Sequence, residues 1–225
     1  MHGRWLIGGL LLAGCSADSG KPAERPAGTP DTVAPAATRT DAATSEWHLA
    51  TGGSGPVTAE TSEADLRQRF GAHALEAARI ELGEGETAPG TVLFPADSLR
   101  RMQIVWRDTV ARRQPARLIL RGSKSRWQFG PGISLGTSLQ DLERMNGRPF
   151  TLAGFGWDYA GVVTDWKGGA LDSTLAGVKL YLDPGPAQYE SAPYSQVLGD
   201  RDYSSSLPAM QQLSPRVAQI FVDFE

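Results

Sequence analysis

Hydrophobic positions along this chain fall into three regimes. Trp5-Leu6-Ile7-Gly8-Gly9-Leu10-Leu11-Leu12 is an apolar run behind His2 and Arg4, too short to span a bilayer as a mature helix. Over the 29 positions from Ser16 to Thr44 the pattern vanishes: eight Ala, five Thr and four Pro leave Val33 as the one large aliphatic side chain. Such a stretch cannot bury enough apolar surface to offset its ordering entropy. Residues 15–45 therefore read as a disordered tether, on the order of 30 Å long as a flexible coil. From Glu46 onward Trp, Phe and aliphatic residues return in short runs bounded by Gly and Pro. That body is long enough for one domain or for two small halves sharing a core.

Two windows of the body align without gaps. Val57–Leu66 matches Ile133–Leu142 at an offset of 133 − 57 = 76, and the same offset carries Gly71 onto Gly147 and Met102–Trp106 onto Val178–Leu182. The pattern predicts an internal duplication, with one α+β unit over 46–131 and a second over 132–225. Each opens with a helix signal. Ser62 with Asp65, and Ser138 with Asp141, fit a variant capping box, in which the hydroxyl accepts from an early backbone N–H and the acid sits in the first turn. Leu66 and Phe70, then Leu139, Leu142 and Met145, supply apolar residues at helical spacing; Gly71 and Gly147 suit left-handed termination, and Pro149 prevents continuation.

After each helix the period shortens to that of strands. Thr91–Phe94, Met102–Arg107, Arg117–Leu120 and Arg126–Phe129 are predicted strands of the first unit; residues 72–82 fit helix or strand. In the second unit, Phe155, Trp157 and Tyr159 alternate with Gly156, Asp158 and Ala160, and Gly161 leads into Val162–Trp166, which predicts an antiparallel hairpin. Gly168-Gly169 is a break before a strand at Val178–Leu182, and Val217–Phe224 reads as the last strand. Between them, 183–214 is an insertion rich in Pro and Tyr, with a short helix expected from Ser206 carrying Met210 and Leu213; it fits a binding loop or a passive excursion. The fold class expected is α+β, short helices packed on antiparallel strands.

The single cysteine changes the picture of the N-terminus. Leu12-Ala13-Gly14-Cys15 resembles the lipobox of bacterial lipoproteins, which implies removal of residues 1–14, acylation of Cys15 and a membrane partner through that anchor. Two or three acyl chains, at about 0.8 kcal/mol per buried CH₂, hold a protein on a membrane stably. Ser16 in place of Asp resembles the sorting signal for the outer membrane, with the periplasm-facing leaflet expected and the inner membrane or cell surface as alternatives. The body carries its own resemblance. Gly136-Thr137-Ser138-Leu139-Gln140-Asp141-Leu142, Gly147-Arg148-Pro149 and Trp157-Asp158-Tyr159 resemble the BamE/SmpA-like outer-membrane lipoproteins, and the tandem arrangement resembles the β-lactamase inhibitor protein. The match covers about a third of the body and is poorer in the first copy, which lacks the Trp-x-Tyr. It implies a non-catalytic protein-interaction or assembly module whose partner is another envelope protein.

Charge separates partner classes. The chain has 40% hydrophobic and 21% charged residues with a formal charge of −3, and losing Arg4 with residues 1–14 leaves −4, which argues against nucleic acid as a partner. The distribution is uneven. Arg100, Arg101, Arg107, Arg112, Arg113, Arg117, Arg121, Lys124 and Arg126 face Asp108 alone between positions 100 and 126, whereas Thr58–Asp97 holds eight acids against three arginines. Either Arg100, Arg101, Arg112 and Arg113 belong to a basic face for an anionic envelope component, or strands bring the acidic segment beside them.

Catalytic constellations are weak. Once residues 1–14 are gone His48 and His73 are the remaining histidines, which argues against a triad, a multi-histidine metal site or a cofactor. Gly53-Ser54-Gly55 lacks the spacing of a nucleophile elbow. Glu84 with Glu86, Asp200 with Asp202, and Asp158, Asp165 and Asp172 read as solvated turn acids. The row Phe155, Trp157 and Tyr159 is either an exposed stripe for a partner or the inner face of a strand under the Leu139/Leu142/Met145 helix. The expectation is an anchored interaction module; a binder of an anionic or polymeric envelope ligand, or an envelope hydrolase, is the alternative. A polar pocket of Glu84, Glu86, Asp200 and Arg201 would favour that alternative.

Overall fold

Ser62 and Ser138 each start a helix by the same device. The computed structural model describes residues 47–49 and 55–224, so Cys15, the apolar run before it and the tether lie outside the described residues. Helix α1 (Glu63–Phe70) has both arms of a capping box: Ser62 Oγ accepts from the Asp65 backbone N–H at 3.2 Å, and an Asp65 carboxylate oxygen accepts from the Ser62 N–H at 2.9 Å. Helix α2 (Leu139–Asn146) is capped by Ser138 Oγ accepting from the Asp141 N–H at 3.1 Å and ends on left-handed Gly147. Gly71 also has a positive φ, but its ψ of 159° feeds the chain straight into a 3₁₀ turn, Ala72–Ala74, rather than a left-handed cap.

Seven strands hold most of the backbone pairing. They are β1 (His48–Leu49), β2 (Leu75–Gly83), β3 (Glu86–Leu93), β4 (Met102–Asp108), β5 (Arg113–Arg121), β9 (Val178–Asp183) and β11 (Arg216–Asp223). All but β1 form one antiparallel sheet in the order β2-β3-β4-β5-β11-β9. A smaller antiparallel sheet has the order β10-β7-β8, from β7 (Thr151–Ala153), β8 (Val163–Asp165) and β10 (Asp202–Ser204). Strand β1 pairs in parallel with β6 (Gln128–Phe129). Short helices α3 (Ala170–Thr174), α4 (Ala192–Ser195) and α5 (Pro208–Leu213) complete the mixed α+β fold, as the alternating periods predict. Residues 72–82, open in the sequence, are the 3₁₀ turn followed by β2.

Both faces of the large sheet carry apolar side chains. On one, Leu93, Ile104, Trp106, Leu118, Leu120, Leu180 and Ile220 pack with Leu66 of α1, Leu139 and Leu142 of α2, and Met210 and Leu213 of α5. Truncating one such leucine to Ala costs about 2–5 kcal/mol. On the other face Ile80, Val92, Val105, Ile119 and Phe221 form a second buried cluster. Helix α1 is also pinned by a polar chain. Trp106 Nε1 donates to Thr91 Oγ1 at 2.9 Å, Thr91 Oγ1 donates to the Glu63 carboxylate at 2.6 Å, and Arg67 and Arg112 pair with that carboxylate at 2.7 and 2.8 Å.

Three expectations need correction. The predicted Phe155–Tyr159 strand is absent: the hairpin pairs Thr151–Ala153 with Val163–Asp165, and the aromatic row lies in the connection between them. Gly156 and Gly161, at φ of 84° and 69°, break the extended conformation, and a Cβ at Gly161 would overlap the Leu182 carbonyl oxygen. Strands β3 and β5 are longer than Thr91–Phe94 and Arg117–Leu120, because Pro89 and Pro115 are tolerated inside them, Pro115 beside an irregularity in the β4–β5 pairing. The 183–214 insertion is not a passive excursion. It supplies the expected helix as α5, contributes β10 to the small sheet, and buries Val197, Met210 and Leu213 in the core.

Candidate functional site

A two-residue turn, Glu84-Gly85, joins β2 to β3 with Gly83 opposite Glu86, and both turn residues have positive φ, as a tight hairpin requires. This hairpin tip meets the connection after β7. The charge of the Glu84 carboxylate, with burial and the charges of Glu86 and Asp158, raises the Tyr159 phenol's pKa above the ordinary 10.0. Between tip and connection lies a cleft of about 620 Å³ over the second apolar face of the sheet.

Its walls are aromatic and its edge is charged. Trp157 and Tyr159 are 36% and 38% exposed and meet edge to face, with ring centroids 5.5 Å apart. Trp157 Nε1 donates to the Gly154 carbonyl at 2.9 Å, which fixes the indole. Tyr181 and Phe221 form a tilted pair at 4.9 Å on the sheet itself. Arg121 lines the same cleft with its fork engaged: Nε donates to Gln219 at 2.7 Å, Nη1 to Gln103 at 3.2 Å and Nη2 to the Glu81 carbonyl at 3.1 Å. Burial lowers the Arg121 pKa, against the opposing charge of Glu81, and raises that of Tyr181. A fixed arginine and an aromatic pair presented to solvent are the side chains that anchor protein partners.

The residues singled out in the sequence divide as follows. Phe155 is buried and stacked on Tyr194 at 5.7 Å, so it belongs to the core; Trp157 and Tyr159 face the cleft. Arg112 and Arg113 sit at the β4–β5 turn and are paired with Glu63 and Asp108. Arg100 and Arg101 precede β4, at the other end of a strand about 20 Å long. The four therefore form no common face. Arg100 pairs with Asp97, and Arg101 donates to the Pro95 carbonyl at 3.0 Å. Glu86 lines the cleft, but Asp200 and Arg201 do not; Arg201 donates to the Tyr203 hydroxyl. Sequence reading missed Arg121, Tyr181 and Phe221 as a cleft, since three strands bring them together. It also missed Arg69, whose neighbour Phe70 was the available signal.

Among the described residues no cluster of His, Cys, Asp or Glu has metal-binding geometry, and no helix is long and apolar enough to cross a membrane. Comparison of the chain with protein-family models, curated proteins and solved structures finds no match.

Proposed function

We propose that this chain is a bacterial envelope lipoprotein, anchored in the outer membrane through acylated Cys15 and facing the periplasm, whose body binds another envelope protein without catalysis. The observation that carries the reading is the cleft on the second face of the sheet, where Trp157, fixed by its bond to the Gly154 carbonyl, and Tyr159 stay partly exposed. Trp157 and Tyr159 keep a little over a third of their surface in water, and a partner's surface would recover a share of the about 1.5–3 kcal/mol that fully burying a large apolar side chain contributes.

A duplicated body fits the local geometry. Thr58 N–H donates to Thr61 Oγ1 before α1, and Ser134 N–H donates to Thr137 Oγ1 before α2, again at an offset of 134 − 58 = 76. Glu63 N–H donates to the Arg112 carbonyl, and Leu139 N–H to the Pro215 carbonyl. For the closing strands the offset is thus 215 − 112 = 103, and the insertion before β11 accounts for the increase. The β5–β11 register maps onto itself under that shift. Arg117 pairs with Asp223 and Leu120 with Ile220, and adding 103 turns 117 into 220 and 120 into 223. Two copies related by a local twofold between their last strands would pair in this way.

The test is co-purification of the acylated chain from its native membranes, with Trp157→Ala and Tyr159→Ala beside the unaltered protein. Loss of a specific partner from variants that still fold and melt cooperatively is expected. Retention of that partner in both variants overturns the reading.

A further inference from the structure

We infer that the end of the fold around Trp47 is a contact site for the phosphate of an anionic lipid headgroup, separate from the cleft. Three guanidinium groups are stacked there on aromatic rings. Arg69 lies 4.9 Å from the Phe70 centroid, Arg100 4.5 Å from that of Phe94, and Arg126 4.6 Å from that of Trp47. The rings brace one another: Phe70 meets Phe94 edge to face at 5.0 Å, and Trp47 meets Trp127 at 5.3 Å. Backbone bonds join the segments, since Trp127 Nε1 donates to the Arg100 carbonyl at 2.9 Å and the Arg126 N–H to the Leu99 carbonyl at 3.0 Å.

Two hollows of about 450 and 320 Å³ open onto this cluster, and Arg69 and Arg100 line both. His73 lines the larger one, where Asp97, already paired with Arg100, is the one carboxylate. Among the described residues no carboxylate pairs with Arg69 or Arg126. A guanidinium stacked on a ring keeps its N–H edge for an acceptor, and its planar fork matches two phosphate oxygens. The surroundings suit a membrane surface rather than a free anion. Leu99 is 41% exposed between the arginines, and indole rings such as that of Trp47 favour the headgroup level. Trp47 lies 32 positions after Cys15 in the sequence. The headgroup contact does not require the protein partner proposed above.

The experiment measures binding of the full chain carrying Cys15→Ser, which removes the acyl chains, to phosphatidylcholine vesicles with and without phosphatidylglycerol. Arg69→Gln and Arg126→Gln are compared with Arg113→Gln, which removes the same charge at the distant β4–β5 turn; residues 1–14 are common to all and cancel. The phosphatidylglycerol-dependent part of binding should fall about fivefold for each of the first two variants and stay unchanged for the third. Arg69→Lys keeps the charge but not the stacked fork and should recover part of the loss, and unchanged melting temperatures of the Gln variants separate lost charge from a damaged fold. Equal binding to neutral vesicles, equal loss in Arg113→Gln, or no loss in Arg69→Gln overturns the inference. So does complete displacement by inorganic phosphate at matched ionic strength, which would make this a site for the free anion. A chain that loses its protein partner in Trp157→Ala yet keeps this vesicle dependence has lost the cleft alone.

Discussion

Tyr159 lies close enough to Glu84 for that carboxylate's charge to be the foremost influence raising its phenol's pKa, and the connection after β7 and the tip of the β2–β3 hairpin line one cleft across a face of the large sheet. This approach turns an open sheet face into a cleft walled by aromatics. Replacing Glu84 by Gln removes the largest influence holding the Tyr159 phenol protonated, and the pKa of Tyr159 should move back toward the ordinary 10.0. Nuclear magnetic resonance of ¹³C-labelled tyrosine reads this directly. An unmoved Tyr159 titration would mean that hairpin and connection do not meet.

Glu63 couples the stability of the fold to pH. Burial alone would raise its pKa, but hydrogen bonds from Thr91, Arg112 and Arg67 outweigh it and hold the carboxyl below its ordinary 4.5. The stabilisation is therefore complete above pH 4.5 and is lost as pH falls through the lower folded-state value. Glu63→Gln should melt earlier than the unaltered chain at neutral pH, and the gap should narrow on acidification below 4.5. Thermal melts across pH decide this, and a gap that widens on acidification contradicts it.

Thr91 relays between Trp106 and Glu63. Thr91→Val leaves a buried indole N–H without its acceptor, at a cost of about 1–3 kcal/mol. At about 2–4 °C per kcal/mol for a chain of this size, the melting temperature should drop by several degrees. A drop smaller than that of Ser62→Ala, a cap loss of about 1 kcal/mol, would show that the relay is not satisfied in solution.

How much could be read from the chain follows from how local each signal is. The Ser62–Asp65 and Ser138–Asp141 caps span three residues, so their helices were legible to within a residue. Strands β3 and β5 were half legible, because Pro89 and Pro115 look like terminators when the neighbouring strand is unknown. Phe155, Trp157 and Tyr159 alternate as strand residues do, yet the tight approach of Gly161 to Leu182 bends the backbone and leaves one in the core and two at the cleft. The cleft itself was hidden, since Arg121, Tyr181 and Phe221 become neighbours through the β5-β11-β9 order. Ile104, Val105 and Trp106 form a run with no polar alternation because both faces of β4 are buried.

Gly161 and Gly168 separate crowding from backbone strain. Both have positive φ, 69° and 67°, but a Cβ at Gly161 overlaps the Leu182 carbonyl while one at Gly168 meets nothing within 4 Å. Gly168→Ala should cost about 1–2 kcal/mol, the left-handed penalty alone. Gly161→Ala should cost clearly more and should also increase quenching of Trp157 fluorescence by iodide. Equal melting temperatures would contradict the close approach.

The most direct test of the interaction account is photo-crosslinking in native membranes from a benzoylphenylalanine placed at position 157, with one at position 110 as the comparison. Val110 is 94% exposed in the β4–β5 turn and lies outside the cleft. A discrete crosslinked species from position 157 and none from position 110 is the expected result. No adduct from position 157, or the same adducts from both, would contradict the assignment of the cleft as the surface that meets a partner.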